Sequence, residues 1–543
     1  MIKVSTPLKT PDLINLLCLP ESYPHSVEVI TTIETHISMV FLTGPYAYKL
    51  KKEVDFGFLN FSTLALRKKY CHLELQLNRR YSPELYLGVV AIYLDKHNQV
   101  AWQPTDQTPE PIEYLVKMKQ FDPNDVLGKK LQTESLSPQQ VSLLARLIAD
   151  FHQSAEALCN QPALVKTPLG TPKTLLHPML DNFPTLYEHA NPNNLPQLKT
   201  LERWTQQQFK QLASFMQSRR DNGNVKACHG DLHMDNMTLI QHQPVLFDGI
   251  EFNEAFRWID VISDLAFLLI DLDFKKQPAL AAQILSLYLS QTTDYQALKL
   301  LTFYRVYRAL VRAKITTLRA TQLPNNSLEK TRLMQTAQQY MHLALHYTQP
   351  KTKARLILLQ GVSGSGKSYL SDQLLSVVED AIILSSDRVR KQLYGISPSD
   401  RVSDVEKKQL YSAKMNRKVY QTLLEQAERI LLLGFNVIID ATFLQHKHRS
   451  PFYALCERLN LNIAYGVIYI DTPKALATLS IEARAHQNDN PSDANVSVML
   501  NQYPQLEPPI ASENALTLNA TQLRHFFPTS LIQDFLNKPI HST

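Results

Sequence analysis

Residues 361–368 read Gly-Val-Ser-Gly-Ser-Gly-Lys-Ser: a glycine, four residues, then Gly-Lys-Ser. That spacing is the phosphate-cradling P-loop pattern. The chain has only 14 glycines in 543 residues, and three of them stand here, at Gly361, Gly364 and Gly366. They let the backbone turn sharply and approach an anion closely. The N–H groups of Val362, Ser363, Gly364, Ser365 and Gly366 would then wrap a phosphate chain, Lys367 would reach the β- and γ-phosphates, and the Ser368 hydroxyl would ligate Mg²⁺. The plainer alternative is a glycine-rich turn with a chance lysine. A second chemical centre lies upstream, at His229-Gly230-Asp231-Leu232-His233-Met234-Asp235-Asn236. Asp231 and Asn236 are five apart, the spacing of a catalytic base and a Mg²⁺-binding asparagine in HRDxxxxN, and Asp248 follows after one hairpin, where a second oxygen ligand belongs. A polar loop of ordinary turn-forming residues is the alternative here.

These groups need elements to aim them. Residues 355–360 form an apolar run of strand length and 369–378 have helical spacing, so a strand, a glycine turn and a helix N-terminus point N–H groups at the phosphate. Before the second centre, 27–32, 37–42 and 46–52 predict strands, 62–80 a helix, and 89–94 and 114–119 further strands. A strand lysine, Lys49, followed by a helix glutamate, Glu74, is the layout in which the lysine holds the α- and β-phosphates and the glutamate holds the lysine. A solvated strand lysine is the other reading. Asp55-Phe56-Gly57 spells a kinase metal motif but precedes any catalytic loop, and predicts only a turn. Helices are expected at 139–155, 198–219, 301–319 and 327–346. Arg305, Arg308, Arg312 and Lys314 share one side of the third, either as a site for an anionic acceptor or as an ion-paired or solvated face.

Beyond the P-loop, 381–386 predicts a buried strand ending at Asp387, with Arg388 and Arg390 just after it. Residues 436–439 predict a strand closing on Asp440, a Walker-B-like acid that would order Mg²⁺ and its water. Residues 465–470 predict another strand, ending in Asp471-Thr472-Pro473. Strands alternating with helices give a doubly wound parallel sheet with its site at the strands' C-terminal ends.

The residues His229-Gly-Asp231-Leu-His-Met-Asp-Asn236, Leu246-Phe-Asp248-Gly and Asp264-Leu-Ala266 resemble the aminoglycoside phosphotransferase and choline kinase superfamily, over about residues 25–345. The resemblance implies a bilobal kinase-like fold, Asp231 as catalytic base, Asn236 and Asp248 as Mg²⁺ ligands, Lys49 and Glu74 on the phosphate side, and Asp264 as a brace of the catalytic loop. The segment from Asp387 onward resembles polynucleotide kinase, zeta toxin and gluconate kinase-like enzymes. That implies Asp387 as the base for an acceptor hydroxyl and Arg390 as its clamp; Arg449, soon after Asp440, is a further candidate to touch the acceptor. The same resemblance also implies Arg484, in Ile-Glu-Ala-Arg484, as a lid arginine on the transferred phosphoryl group. A helix N-cap for Asp387 and a helix-surface place for Arg390 and Arg484 stand as the alternatives. The whole chain resembles bacterial proteins described as bifunctional aminoglycoside phosphotransferase/ATP-binding protein. The expected fold class is an α+β bilobal kinase-like domain followed by an α/β P-loop domain. Its expected parts are a kinase-like N-lobe at 1–120, a phosphotransferase-like C-lobe at 121–348 and a P-loop domain at 349–543.

Hydrophobic residues are 44% and charged residues 20% of the chain, which suits sizeable cores, and the formal charge of +6 mildly favours anionic acceptors. Five scattered cysteines without a CxxC point to a reducing compartment, with neither disulfides nor zinc. No apolar run is long enough to span a bilayer and no signal-peptide core precedes Asp12, so a cytoplasmic protein without a membrane partner is expected. The reading is a kinase with two Mg·ATP sites, each serving a hydroxyl acceptor on a small molecule, nucleotide or protein. Two rivals stand beside it: a regulatory module in which one domain binds nucleotide to control the other, and a nucleic-acid-stimulated ATPase. No basic run interleaved with aromatics supports the second.

Overall fold

The computed structural model describes residues 10–57, 59–106, 109–350, 354–396, 402–459, 461, 463–485 and 495–537. Its contacts divide the chain into two units, one made of 1–136, 151–178 and 210–268, the other of 137–150, 179–209 and 269–543.

In the first unit, β1 (Thr31–Glu34), β2 (Ser38–Leu42), β3 (Tyr46–Lys51), β4 (Tyr86–Leu94), β5 (Val100–Ala101) and β6 (Glu113–Lys119) form an antiparallel sheet in the order β1-β2-β3-β6-β4-β5. Side chains alternate across a strand. Tyr48 and Leu50 therefore pack with Phe41, Ile92 and Leu115 on one face. Ala47 faces the other way, toward Cys71 on the helix Leu64–Asn78. Lys49 and Lys51 share the parity of Ala47. Thr63 caps that helix, its hydroxyl accepting the Leu66 N–H. The Asp55-Phe56-Gly57 segment is the expected turn: Asp55 Oδ1 accepts the Gly57 N–H at 2.9 Å, with Gly57 at φ +80°.

Four short strands carry the second chemical centre. β7 (Val225–Ala227) pairs with β10 (Trp258–Asp260), while β8 (Met237–Ile240) and β9 (Gln243–Leu246) make a hairpin. Its two-residue turn, Gln241-His242, has φ +51° and +63°, the double positive φ of a turn that matches strand twist. Arg219 clips this platform to the helix Leu195–Asp221 through a fork onto Asp260, with Nε to Oδ2 at 2.6 Å and Nη2 to Oδ1 at 2.9 Å.

In the second unit, β11 (Arg355–Gln360), β12 (Ala381–Ser385), β13 (Asn436–Asp440), β14 (Ala464–Asp471) and β15 (Ala515–Asn519) form a wholly parallel sheet in the order β12-β13-β11-β14-β15. The fold class expected from the sequence is thus the one observed. The helix Pro278–Thr292 runs along the edge strand β12, and Ser286 Oγ accepts the Ile383 N–H at 3.0 Å. Arg305, on the helix Leu298–Thr321, reaches Asp380 just before β12 at 2.9 Å. The basic side of this helix is therefore partly interior: Arg305 and Arg308 are buried, while the half-buried Lys314 donates to the Asp181 carbonyl at 3.1 Å. The joint expected around 348–353 lies partly outside the described residues. No helix among the described residues is long and apolar enough to cross a membrane.

Asp260 is 1% exposed, so Asp260→Asn leaves the Arg219 charge buried without its counter-ion. We expect it to cost about 3–5 kcal/mol, read as an earlier urea midpoint at unchanged slope.

Candidate functional site

The first site is built wholly within the first unit. Asp264 is fully buried and accepts the backbone N–H groups of His229 at 3.0 Å and Gly230 at 2.9 Å, with His152 Nε2 at 3.2 Å. One carboxylate thus fixes two consecutive peptides of the loop ahead of Asp231. Gly230 has φ +86°, and a Cβ there would meet the Phe256 carbonyl oxygen at 2.8 Å. His229 donates from Nε2 to the Phe247 carbonyl at 2.9 Å, and its Nδ1 accepts the Asp231 N–H at 3.4 Å. That is the neutral tautomer, in keeping with burial lowering its pKa. Asn236 spends its amide nitrogen on the Asp231 carbonyl and Oδ2, both at 3.0 Å, which fixes the orientation of its amide. His233 Nε2 stands 3.3 Å from Asp231 Oδ2.

Asp248 has φ +62°, a left-handed conformation uncommon for aspartate. Two neighbours hold it: its N–H donates to the Tyr86 hydroxyl at 2.9 Å, and the Gly249 N–H donates to Asn78 Oδ1 at 2.9 Å. Lys49 Nζ contacts Glu74 Oε1 at 2.9 Å and also pairs with Asp248. Burial opposes the Lys49 charge, but Asp248, Glu74 and Glu251 outweigh it and raise its pKa well above the ordinary value. Burial would likewise raise Glu74, but Lys49 and Lys51 hold it at about 2. Lys49, Glu74, Asp231, Asn236 and Asp248, picked from sequence, belong to one constellation. Lys51, Glu251, Asn78 and Tyr86 were missed. Only the two-residue step from Lys49 to Lys51 carried a signal for any of them. His152, Cys228 and Asp264 also converge, but their donor atoms are already engaged in bracing the loop.

The second site lies wholly within the second unit. Gly361, Val362, Ser363, Gly364, Ser365 and Gly366 form the turn after β11, and Lys367 opens the helix Lys367–Leu374. Gly364 has φ +83°, and a Cβ there would meet the Ala477 carbonyl oxygen at 2.6 Å. Lys367 Nζ donates to the carbonyls of Gly361 at 2.9 Å and Val362 at 2.8 Å. Ser368 Oγ donates to Asp440 Oδ2 at 2.6 Å, which joins the two residues expected to ligate Mg²⁺. Gln502 supports the loop by accepting the Ser363 N–H at 2.7 Å. A cleft of about 2000 Å³ opens over these groups and includes Asp372, Asp387, Arg388 and Arg390 in its lining. Ordinary small-ligand pockets are about 300–1,000 Å³, so there is space for a nucleotide and a second molecule.

The arginine expectations fare differently. Arg449 is fully buried, with its guanidinium forked onto Glu513 at 2.6 and 2.8 Å and donating to the Phe443 carbonyl. It is an internal tie and is not among the residues that line the cleft over the P-loop. Arg390 lines the cleft, but its Nη1 is committed to Asn416 Oδ1 at 2.6 Å and to the Leu410 carbonyl at 2.9 Å. Its Nε lies only 3.9 Å from Asp387. The residue passed over in sequence is Arg388, whose charge lies within the field of Asp372 and Asp440 and whose pKa burial lowers. Arg484 is in the last turn of the helix Lys474–Ala485, and its side chain lies outside the described residues.

Asp372 is pushed up to about 6, first by burial and then by Asp440. A raised carboxyl pKa means that ionisation opposes folding: the stability present below about pH 4 is lost as the pH rises through about 6. Asp372→Asn should therefore stabilise the ligand-free chain by about 2–3 kcal/mol near pH 8, with the gain fading toward pH 4 in denaturant titrations. Arg449→Met, in contrast, should cost about 3–5 kcal/mol at neutral pH in the same titrations, because it strands the Glu513 carboxylate.

Comparison with known proteins bears on both sites. Residues 91–301 match the family model described as phosphotransferase enzyme family, and residues 356–509 match one described as AAA domain. An uncharacterized protein of Mycobacterium tuberculosis is 28% identical over 411 residues, covering 76% of this chain and 78% of that protein, and one from Mycobacterium bovis matches equally. Among solved structures, a choline/ethanolamine kinase family protein from Mesorhizobium loti is 11% identical, covering 61% of this chain and 97% of its own, with a TM-score of 0.36. A gluconokinase from Sinorhizobium meliloti is 14% identical, covering 34% of this chain and 91% of its own, with a TM-score of 0.23. The chain is thus a phosphotransferase enzyme in which a phosphotransferase-family domain precedes an AAA-type P-loop domain.

Proposed function

We propose that the chain has two Mg·ATP sites, each moving a γ-phosphoryl group to an acceptor hydroxyl. The observation that supports this reading is that each unit gathers, within itself, a buried lysine, a partly exposed aspartate and a pair of oxygen-bearing side chains. In the first site Lys49, steadied by Glu74, takes the α- and β-phosphates, and Asp231 accepts the proton of the acceptor hydroxyl as its oxygen attacks. Asn236 and Asp248 hold the magnesium ion. In the second site the P-loop N–H groups and Lys367 hold the phosphates, Ser368 and Asp440 hold magnesium, and Asp387 is the base. Magnesium, when bound, neutralises charge on the phosphates during transfer. All four ligand side chains offer oxygen, which suits this hard cation. The acceptors are small molecules, nucleotides or proteins, and the roomy cleft of the second site favours an acceptor that is itself of nucleotide size.

The test is ATP consumption and product formation across sugars, aminoglycosides, nucleosides, oligonucleotides and a protein, for wild type, Asp231→Ala, Lys367→Ala and the double variant. Asp231→Ala should lower transfer to one acceptor by about 10²–10⁴-fold, and Lys367→Ala should abolish transfer to another. Loss of every activity in Lys367→Ala with none lost in Asp231→Ala would refute catalysis at the first site.

A further inference from the structure

The pairing of Lys49 with Glu74 is half of a larger figure. Strand alternation sets Lys51 beside Lys49 on the same face of β3. Glu74 divides its oxygens between them, with Oε1 to Lys49 at 2.9 Å and Oε2 to Lys51 at 2.6 Å. Each lysine then pairs with a second carboxylate, Lys49 with Asp248 and Lys51 with Glu251. Asp248 and Glu251 lie three residues apart on the segment that follows β9. Five charged side chains thus form a row of four contacts, Asp248–Lys49–Glu74–Lys51–Glu251, which the backbone from 248 to 251 closes into a ring linking a strand, a helix and the segment bearing the expected metal ligand. Lys51 is 1%, Glu74 0% and Glu251 4% exposed, whereas the Asp248 side chain is 44% exposed. The open side of the ring is therefore where a nucleotide would arrive, and the closed side is Lys51 with Glu251.

The open side must change partners during function. When Lys49 turns to phosphates and Asp248 to magnesium, their mutual pair is lost. Glu74 then depends on Lys51 for a fixed counter-charge, and the Asp248 segment depends on Glu251 for its tie to β3. We propose that Lys51 and Glu251 are positioning residues of the kinase-like site, holding Glu74 and the Asp248 segment in place while Lys49 exchanges Asp248 for the nucleotide phosphates. Without Lys51, two buried carboxylates are left to Lys49 alone and draw it away from the phosphates. This rests on the reading of the first site as a nucleotide site, and the experiment separates the two.

The experiment measures Mg·ATP affinity by calorimetry on the full chain carrying Lys367→Ala, which confines the readout to the first site. The reference must bind Mg·ATP and lose it with Asp248→Asn. A reference that binds none refutes the nucleotide reading and this inference with it. Given binding, Lys51→Met should weaken affinity about tenfold or more, and Lys51→Arg should recover part of it. Adding Glu251→Gln to Lys51→Met should be non-additive by about threefold or more, because removing one acid relieves the charge left by the missing lysine. Unchanged affinity in a folded Lys51→Met chain overturns the inference. So does strict additivity of the two changes, the behaviour of independent packing defects. Should Lys51→Met fail to fold, Glu251→Gln decides: it must raise the Mg²⁺ concentration needed for half-maximal ATP binding several-fold, and no change overturns the proposal.

Discussion

A charge can be buried only where opposite charge or backbone N–H groups meet it, and both units are arranged around charges that satisfy this condition. Asp264 is the simplest case. Its carboxylate takes two successive peptide N–H groups, so the loop that presents Asp231 is pinned by its backbone. The loop's side chains then pair among themselves, Asn236 and His233 with Asp231. The Tyr86 hydroxyl and the Asn78 amide do the same for the strained turn at Asp248. The second unit uses Gln502 at Ser363 and the Lys367 ammonium at two carbonyls. Asp264, Tyr86, Asn78 and Gln502 thus fix loop backbone through side chains assigned no part in phosphoryl transfer, while Lys367 is both a tie and an expected phosphate ligand.

The fold was legible because its signals are local. Apolar runs at β11, β13 and β14 fill strands buried on both faces of a parallel sheet, and such strands announce themselves in sequence. The Asp231-to-Asn236 step and the P-loop are also local, since a few residues of backbone carry all the geometry. The less legible strands are short or begin late. β1 starts at Thr31, four residues beyond the expected start at Val27. β7 and β10 have three residues each and exist only through each other. β15 is only half-buried, at the far edge of its sheet.

The arginines show where sequence reasoning stops. A phosphate site needs cations, so every arginine near a P-loop is a candidate, but sequence does not tell which are consumed internally. Glu513, 64 residues downstream, is what removes Arg449 from contention. Asn416, 26 residues downstream, commits part of Arg390. Lys51 is the opposite case: nothing in the sequence singled it out, yet it is buried and paired with two carboxylates 23 and 200 residues away. In each case the deciding partner lies beyond the reach of a local pattern.

The edge of the P-loop sheet bears on how the chain divides into parts. An exposed edge strand offers unpaired backbone groups to any passing strand, and proteins blunt such edges to avoid aggregation. Here β12 has the helix Pro278–Thr292 along it, and the Ser286 hydroxyl takes the Ile383 N–H. The covering helix falls inside the residues that match the phosphotransferase family, 91–301, not inside those that match the AAA domain, 356–509. Similarity boundaries and folding boundaries therefore differ in this chain. A P-loop portion cut at the 356–509 boundary would leave the β12 edge without this helix, so the segment that masks its backbone groups is counted with the other domain.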